Sequence, residues 1–362
     1  MTNTDFIKDI LLDSNHAAMI TSQVNRRYIT GFKSSYGVVV ITKDRNYFLT
    51  DPRYYEKAVE VVSTCKVVEV DDLKDKGLEE QLKYIFIKHQ IETVSVENQS
   101  LTLSMLEKYK KMLPQIEFDT SARLSDTITK KRAVKSQEEL EKIVGAQRIA
   151  ERAFAKLTTK LKVGMTEKQI AAILNYYMLE LGADGPAFDI IAASGKNSAI
   201  PHATPTDKPL EQGDFLIIDF GAVVDGYHSD MTRTLVIGKP SDSMKRVYDA
   251  VKSANEDAMR AVRADITGKL LDNVARATFE AWGYAEYFKH SLGHGVGLEV
   301  HEKPTLSIKS QNHSTLKENM VVTIEPGLYI PGKFGVRIED MVVVTKKECI
   351  NLTKTTKTLI HI

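Results

Sequence analysis

Thiol chemistry has little material to work with in this chain. Its two cysteines, Cys65 and Cys349, lie far apart and share no metal-ligand spacing, so neither a thiolate metal site nor a disulfide framework is expected. Free thiols of this kind suit a cytoplasmic protein. Excess charge is missing as well. Forty-nine Lys and Arg face 48 Asp and Glu, a formal net charge of +1, which offers no electrostatic case for binding nucleic acid or an anionic membrane. The first residues, Met1-Thr-Asn-Thr-Asp-Phe6, lead into no long apolar run, so neither a signal peptide nor a bilayer-spanning segment is expected. Solenoid-type repeats and low-complexity stretches are absent too. What remains is 362 residues, 43% hydrophobic and 27% charged, enough for two globular domains or one large one.

The first third alternates between strand-like and helix-like patterns. Ala17–Ile20, Tyr36–Ile41, Asn46–Leu49, Lys66–Val70 and Thr93–Val96 read as strands, with helical patterns near 53–62, 73–89 and 101–112. This predicts an α/β domain on a mixed sheet. Asn25–Phe32 and Thr50–Tyr55 read as polar loops. The basic segment Ala122–Lys135 shows no clear period and reads as the boundary, dividing the chain into domains 1–127 and 128–362. Two capping boxes follow, Ser136-Gln-Glu-Glu139 and Thr166-Glu-Lys-Gln169, opening helices to about 160 and 181. Ala187–Ser194 reads as a strand, and the proline-rich stretch after Asn197 as a loop carrying His202. Two further helices are expected, from about Ser241 to Arg263 and from Gly268 to Trp282.

Phe215–Ile237 is the centre of the chain. It reads as two β runs joined by Asp225-Gly226, a strong hairpin signal. With a two-residue turn there, Val224 pairs with Tyr227 and Gly221 faces Asp230. Asp219 and Asp230 then point to the same side as diagonal neighbours, with the side-chain-free Gly221 leaving room between them. Two acids on one apolar face must protonate, pair with a cation or hold a metal. The plain alternative is a salt bridge to Arg233 or a lysine.

Three more acid or imidazole sites break the expected pattern downstream. His290-Ser-Leu-Gly-His294-Gly-Val-Gly-Leu-Glu-Val-His301 places two histidines four apart, but Gly293, Gly295 and Gly297 argue for a close-packed loop rather than a helix. Glu325 ends the apolar run Met320–Ile324 just before Pro326-Gly327. Arg337 and Glu339 share one face of a strand while Val336 and Ile338 take the other, a pattern that alone would suit a structural ion pair. Taken together, Asp219, Asp230, His294, Glu325 and Glu339 form a set of four carboxylates and one imidazole able to hold two divalent ions. Oxygen-rich ligation with one nitrogen suits Mn²⁺, Co²⁺, Fe²⁺ or Zn²⁺. Two close divalent ions lower the pKa of a water shared between them, which suits hydrolysis of an acyl or phosphoryl bond.

These stretches carry a resemblance. Asp219-Phe-Gly-Ala, Ser229-Asp-Met-Thr-Arg-Thr234, Gly293-His-Gly-Val-Gly-Leu-Glu-Val-His-Glu302, Thr323-Ile-Glu-Pro-Gly327, Val336-Arg-Ile-Glu-Asp340 and Asn197-Ser-Ala-Ile-Pro-His202 resemble the Xaa-Pro peptidases, aminopeptidase P and prolidase, of metallopeptidase family M24. Asn25–Phe32 and Thr50–Tyr54 resemble the creatinase-like N-terminal domain, so the resemblance spans nearly the whole chain. It implies an α/β creatinase-like domain followed by a pita-bread catalytic domain, and hydrolysis of Xaa-Pro bonds in dipeptides or at the N-terminus of longer peptides. It implies that Asp219 chelates one metal, that Asp230 and Glu339 bridge the pair, and that His294 and Glu325 complete the other ion. Glu325 resembles the family's proton shuttle, His202 and His301 its substrate-positioning and oxyanion-stabilising residues, and His290 and Arg337 its pocket positions. Two Mn²⁺ ions and a homodimer are implied in the same way. The rival readings are a methionine aminopeptidase, a creatinase, or a non-catalytic binding module of the same fold. The N-terminal motifs and Leu298-Glu-Val-His-Glu302 speak against the first, and the complete ligand set against the others.

Overall fold

The computed structural model describes residues 4–71, 77–309 and 315–362. They form two compact units, Met1–Arg132 and Ala133–Ile362. In the first unit, strands β1 (His16–Ile20), β2 (Val38–Ile41), β3 (Asn46–Thr50), β4 (Lys66–Glu69), β5 (Thr93–Val96) and β6 (Glu117–Asp119) make one sheet in the order β4-β3-β2-β1-β5-β6. It is mixed: β1 runs antiparallel to β2 and parallel to β5. β1, β2 and β3 are buried along their whole length, although His16, Asn46 and Thr50 at the strand ends are polar.

Three stretches differ from the sequence reading. Asn25–Phe32 is largely helical: the helix Gln23–Thr30 is capped by the Ser22 hydroxyl and stopped by Gly31 at φ +69°. Its polar residues disguise it because Arg26 is buried, donating to the carbonyls of Thr21 and Ser34. Thr50–Tyr55 is likewise a helix start, with Asp51 as cap and Pro52 in the first turn. The basic stretch 122–135 contains the helix Arg123–Ala133. The expected helix over 73–89 is seen as Leu78–Lys88; residues 73–76 lie outside the described residues.

In the second unit both capping boxes form, opening the helices Gln137–Thr158 and Glu167–Glu180. These pack on a sheet made of β8 (Ile191–Ser194), β9 (Phe215–Phe220), β12 (Met231–Val236) and β20 (Ile360–His361), through Phe154, Leu157, Leu174, Leu216, Ile218 and Leu235. A second sheet has the order β14-β13-β15-β18-β19, comprising β13 (Gly293–Gly295), β14 (Glu302–Leu306), β15 (Val321–Ile324), β18 (Asp340–Val344) and β19 (Cys349–Asn351). The helices Asp242–Ala261 and Gly268–Trp282 close its core with Val251, Leu271, Phe279, Val322, Ile324 and Val342. Smaller pairings join β10 (Ala222–Val224) to β7 (Gly185–Pro186) and β11 (Tyr227–His228), and β16 (Gly327–Ile330) to β17 (Phe334–Arg337). Ala187–Ile190 is not strand; only Ile191–Ser194 is. His294 sits on a short strand, with a register shift between it and Gly295, rather than in a loop. Among the described residues, no helix is long and apolar enough to cross a membrane.

Candidate metal centre

The central hairpin keeps the register counted from its turn. Asp225 and Gly226 both have positive φ (49° and 78°), as a two-residue hairpin turn of primed type requires. Val224 lies opposite Tyr227, Met231 opposite Phe220 and Thr232 opposite Asp219. The room expected beside Gly221 is taken by backbone instead: a Cβ there would lie 1.8 Å from the Ser229 carbonyl oxygen. That close approach breaks each long run into two strands without slipping the pairing.

All nine residues singled out by the sequence line one cavity of about 610 Å³: His202, Asp219, Asp230, His290, His294, His301, Glu325, Arg337 and Glu339. Ligand atoms of Asp230, His294 and Glu339 lie within 4.8 Å of one another. His294 Nε2 is 3.3 Å from Glu325 Oε1 and 3.7 Å from Asp230 Oδ2. Asp219 pairs with Arg337, Nη2 to Oδ2 at 2.7 Å, while its buried Oδ1 has no partner. Arg233 takes no part in this. It ion-pairs with Asp340 at 2.7 Å, so the alternative of an Arg233 salt bridge to either aspartate fails. Arg337 and Glu339 face the cavity while Val336 and Ile338 join the apolar core, as period two requires.

Burial and mutual repulsion act together on the acids. Burial, then the charges of Glu339, Asp219 and Glu325, pushes Asp230 well above the usual carboxylate range. Glu339 is pushed up in the same way, by burial and by Glu325 and Asp219. Burial raises Asp219 too, against the pull of Arg337. Glu325 goes the other way. Burial pushes it up, but its hydrogen bond to His294 and the neighbouring His294, His290 and Arg337 outweigh that and bring it down to about 2.

The imidazoles are oriented from behind. His294 Nδ1 donates to the Gly295 carbonyl at 3.1 Å, which aims Nε2 at the acids. Burial lowers the pKa of the ring, but the hydrogen bond to Glu325 and its charge raise it overall. A proton on Nε2 makes that bond, whereas the deprotonated ring presents a lone pair there. A lone pair aimed at carboxylates is repulsive unless a proton or a cation stands between them. His290 Nδ1 donates to Ser291 O at 2.8 Å, so its Nε2 accepts from the Tyr329 hydroxyl at 3.0 Å. Tyr329 accepts in turn from Arg337 Nη1 at 2.7 Å. His301 stacks edge-on against His294, ring centroids 4.2 Å apart, and His202 is exposed at the cavity wall. An orphaned carboxylate oxygen, acids raised by their own repulsion and an imidazole aimed into them are a donor set that fits a divalent cation.

Two participants went unseen in the sequence. Tyr329 lies two and four residues beyond Gly327 and Glu325, and period two along that stretch would have placed it on the same side. Thr232, two beyond Asp230, donates to Glu339 Oε2 at 2.7 Å and accepts from Arg337 Nε at 3.0 Å.

Comparison with known proteins matches residues 141–346 to metallopeptidase family M24 and residues 13–134 to the creatinase/prolidase N-terminal domain. The chain is 39% identical over 342 residues to a Xaa-Pro dipeptidase of Pyrococcus furiosus, covering 94% of each. Among solved structures it is similar to a Xaa-Pro dipeptidase from Bacillus anthracis, at TM-score 0.93 and 34% identity over 99% of each chain. It is also similar to an X-Pro aminopeptidase from Thermotoga maritima, at TM-score 0.90 and 39% identity over 97% of this chain and 99% of that one.

Proposed function

The chain belongs to metallopeptidase family M24, with a creatinase/prolidase N-terminal domain ahead of its catalytic unit, and from that premise we propose that it hydrolyses the Xaa-Pro bond of dipeptides or of short peptides. The observation that carries the reading is the buried acid cluster with His294 Nε2 turned into it. Family membership implies divalent metal ions. Asp219, Asp230, His294, Glu325 and Glu339 would hold them, as two Mn²⁺ ions by the hardness of the oxygen donors. Four carboxylates against Arg337 leave three negative charges unbalanced when His294 is neutral, so one divalent ion still leaves the cluster anionic. Such ions supply Lewis-acid polarisation of the scissile carbonyl and a lowered pKa for water.

This chain's own side chains do the rest. Glu325, the acid kept anionic by its surroundings, takes the proton of the attacking water and delivers it to the departing proline nitrogen. That nitrogen belongs to a tertiary amide and needs the proton to leave as an amine. His202 and His301 hold the substrate and donate to the developing oxyanion. Burial and then neighbouring His294 lower the pKa of His301, so it serves as a neutral donor. Arg337, tied to Asp219, Thr232 and Tyr329, fixes the acids in place. A cytoplasmic homodimer is proposed with this activity, by likeness to the family.

The test is hydrolysis of Ala-Pro and Ala-Pro-Ala side by side, after loading with Mn²⁺ and with a chelated control. Cleavage of the dipeptide alone makes it a dipeptidase. Cleavage of the tripeptide makes it an aminopeptidase. Cleavage of neither by Mn²⁺-bound protein refutes the substrate class.

A further inference from the structure

Glu167 is the most completely satisfied carboxylate of the catalytic unit, and no step of the proposed reaction uses it. It is wholly buried in the first turn of the helix Glu167–Glu180, where the helix dipole favours an anion. All its partners donate. Oε1 accepts from Ser194 N at 2.7 Å and Ser194 Oγ at 2.9 Å. Oε2 accepts from Thr206 N at 2.9 Å and Thr206 Oγ1 at 2.7 Å. Asn197 Nδ2 reaches both oxygens at 3.1 Å. Ser194 ends strand β8, and Thr206 is where the chain returns from the proline-rich loop. One oxygen therefore holds the outgoing end and the other the returning end.

His202 lies between those ends. The carbonyl just before it, Pro201 O, accepts from Arg337 Nη1 at 3.2 Å, the same guanidinium that pairs with Asp219. Ser198 Oγ accepts from Gly335 N at 2.9 Å. The loop is thus pinned to the metal-side strands at its middle and to a buried carboxylate at both feet. No hydrogen bond of its own is needed to hold an exposed His202 at a set place in the wall.

We propose that Glu167 is the positioning residue that sets His202 for substrate, an assignment that rests on the reading of His202 given above. A glutamine there must aim its NH2 at donors. Whichever way the amide turns, one foot of the loop is released.

The experiment is a double-mutant cycle on the Mn²⁺-loaded protein, with Ala-Pro or Ala-Pro-Ala, whichever the parent cleaves. Glu167→Gln is expected to lower kcat/KM by about 10–100-fold, as a misplaced catalytic group does, with Mn²⁺ stoichiometry unchanged. In a His202→Ala background the same substitution should cost less than about twofold, because the group it positions is gone. Thr206→Val, at an exposed residue, should show a smaller loss with the same dependence on His202; it decides the matter if Glu167→Gln does not fold. Parent-like rates, or an equal loss in both backgrounds, overturn the proposal. Amide exchange across 194–206 gives a readout independent of turnover. If the parent cleaves neither peptide, the reading of the reaction fails, while faster exchange at Ala203 in Glu167→Gln upholds the anchoring and unchanged exchange refutes it.

Discussion

Two sets of buried carboxylates in this protein are opposite in kind. In the N-terminal unit Glu97 is 1% exposed and accepts from Thr21 N at 2.6 Å, Ser22 N at 2.9 Å and Asn25 Nδ2 at 2.6 Å. The donors are gathered around the start of the helix Gln23–Thr30, and the buried Arg26 guanidinium of that helix adds an opposite charge nearby. In the catalytic unit Asp230 and Glu339 are as deeply buried, yet they crowd Asp219 and Glu325. A carboxylate surrounded by donors holds structure together. Carboxylates surrounded by one another store repulsion that a cation relieves. Burial by itself does not separate structure from function; the identity of the partners does.

Asp230→Asn breaks the comparison hardest. It removes a negative charge from the cluster, and kcat/KM should fall on the order of 10³-fold, the equivalent of about 4 kcal/mol of transition-state stabilisation. Metal-free protein should nevertheless melt, in chelator, at or above the parent temperature, because a repelling charge has gone. A melting point well below the parent would show that Asp230 serves the core.

Glu97→Gln should do the reverse. Its NH2 would face donors, so the urea midpoint should drop by the equivalent of about 1–3 kcal/mol, with turnover per folded molecule unchanged. A large loss of turnover at full folding would place Glu97 in the reaction.

The smallest effect concerns His16, 3% exposed, whose Nδ1 accepts from Leu12 N and whose Nε2 donates to Ser95 Oγ at 2.9 Å. Burial outweighs the pull of Asp119 and lowers its pKa from 6.5. As pH falls the unfolded chain takes up the proton first, so this contribution is present above about pH 6.5 and lost as pH drops through the folded value. Urea midpoints at about pH 7.5 and about pH 5.5 should differ more in the parent than in His16→Gln. An equal drop in both would remove His16 as the cause.

Much of this was legible in the chain itself. The hairpin register followed from Asp225-Gly226, and the two capping boxes opened helices where their hydroxyl and Glu or Gln side chains stand. The nine candidate residues meet in one cavity; Asp219, Asp230, His294, Glu325 and Glu339 stood out because they interrupt apolar or glycine-framed runs, whereas the roles of His202, His290, His301 and Arg337 came from the family resemblance. Helices with buried polar faces were not legible. Gln23–Thr30 looks like a loop because Arg26 spends its charge on carbonyls that only folding brings near.

Turn chemistry, capping and period two involve a few neighbouring residues, and so the sequence alone determined the hairpin register, the starts of the two helices opened by capping boxes and which of the site's acids leave the core. Partner choice among distant charges was decided by the tertiary structure. Arg233 is the nearer arginine in sequence to both Asp219 and Asp230, yet Arg337 pairs with Asp219 and Arg233 with Asp340. Glu167 likewise reads as the second residue of a capping box, and only the folded chain brings Ser194, Asn197 and Thr206 onto it. Pairings of this sort depend on which strands are laid side by side, and no local pattern carries that information.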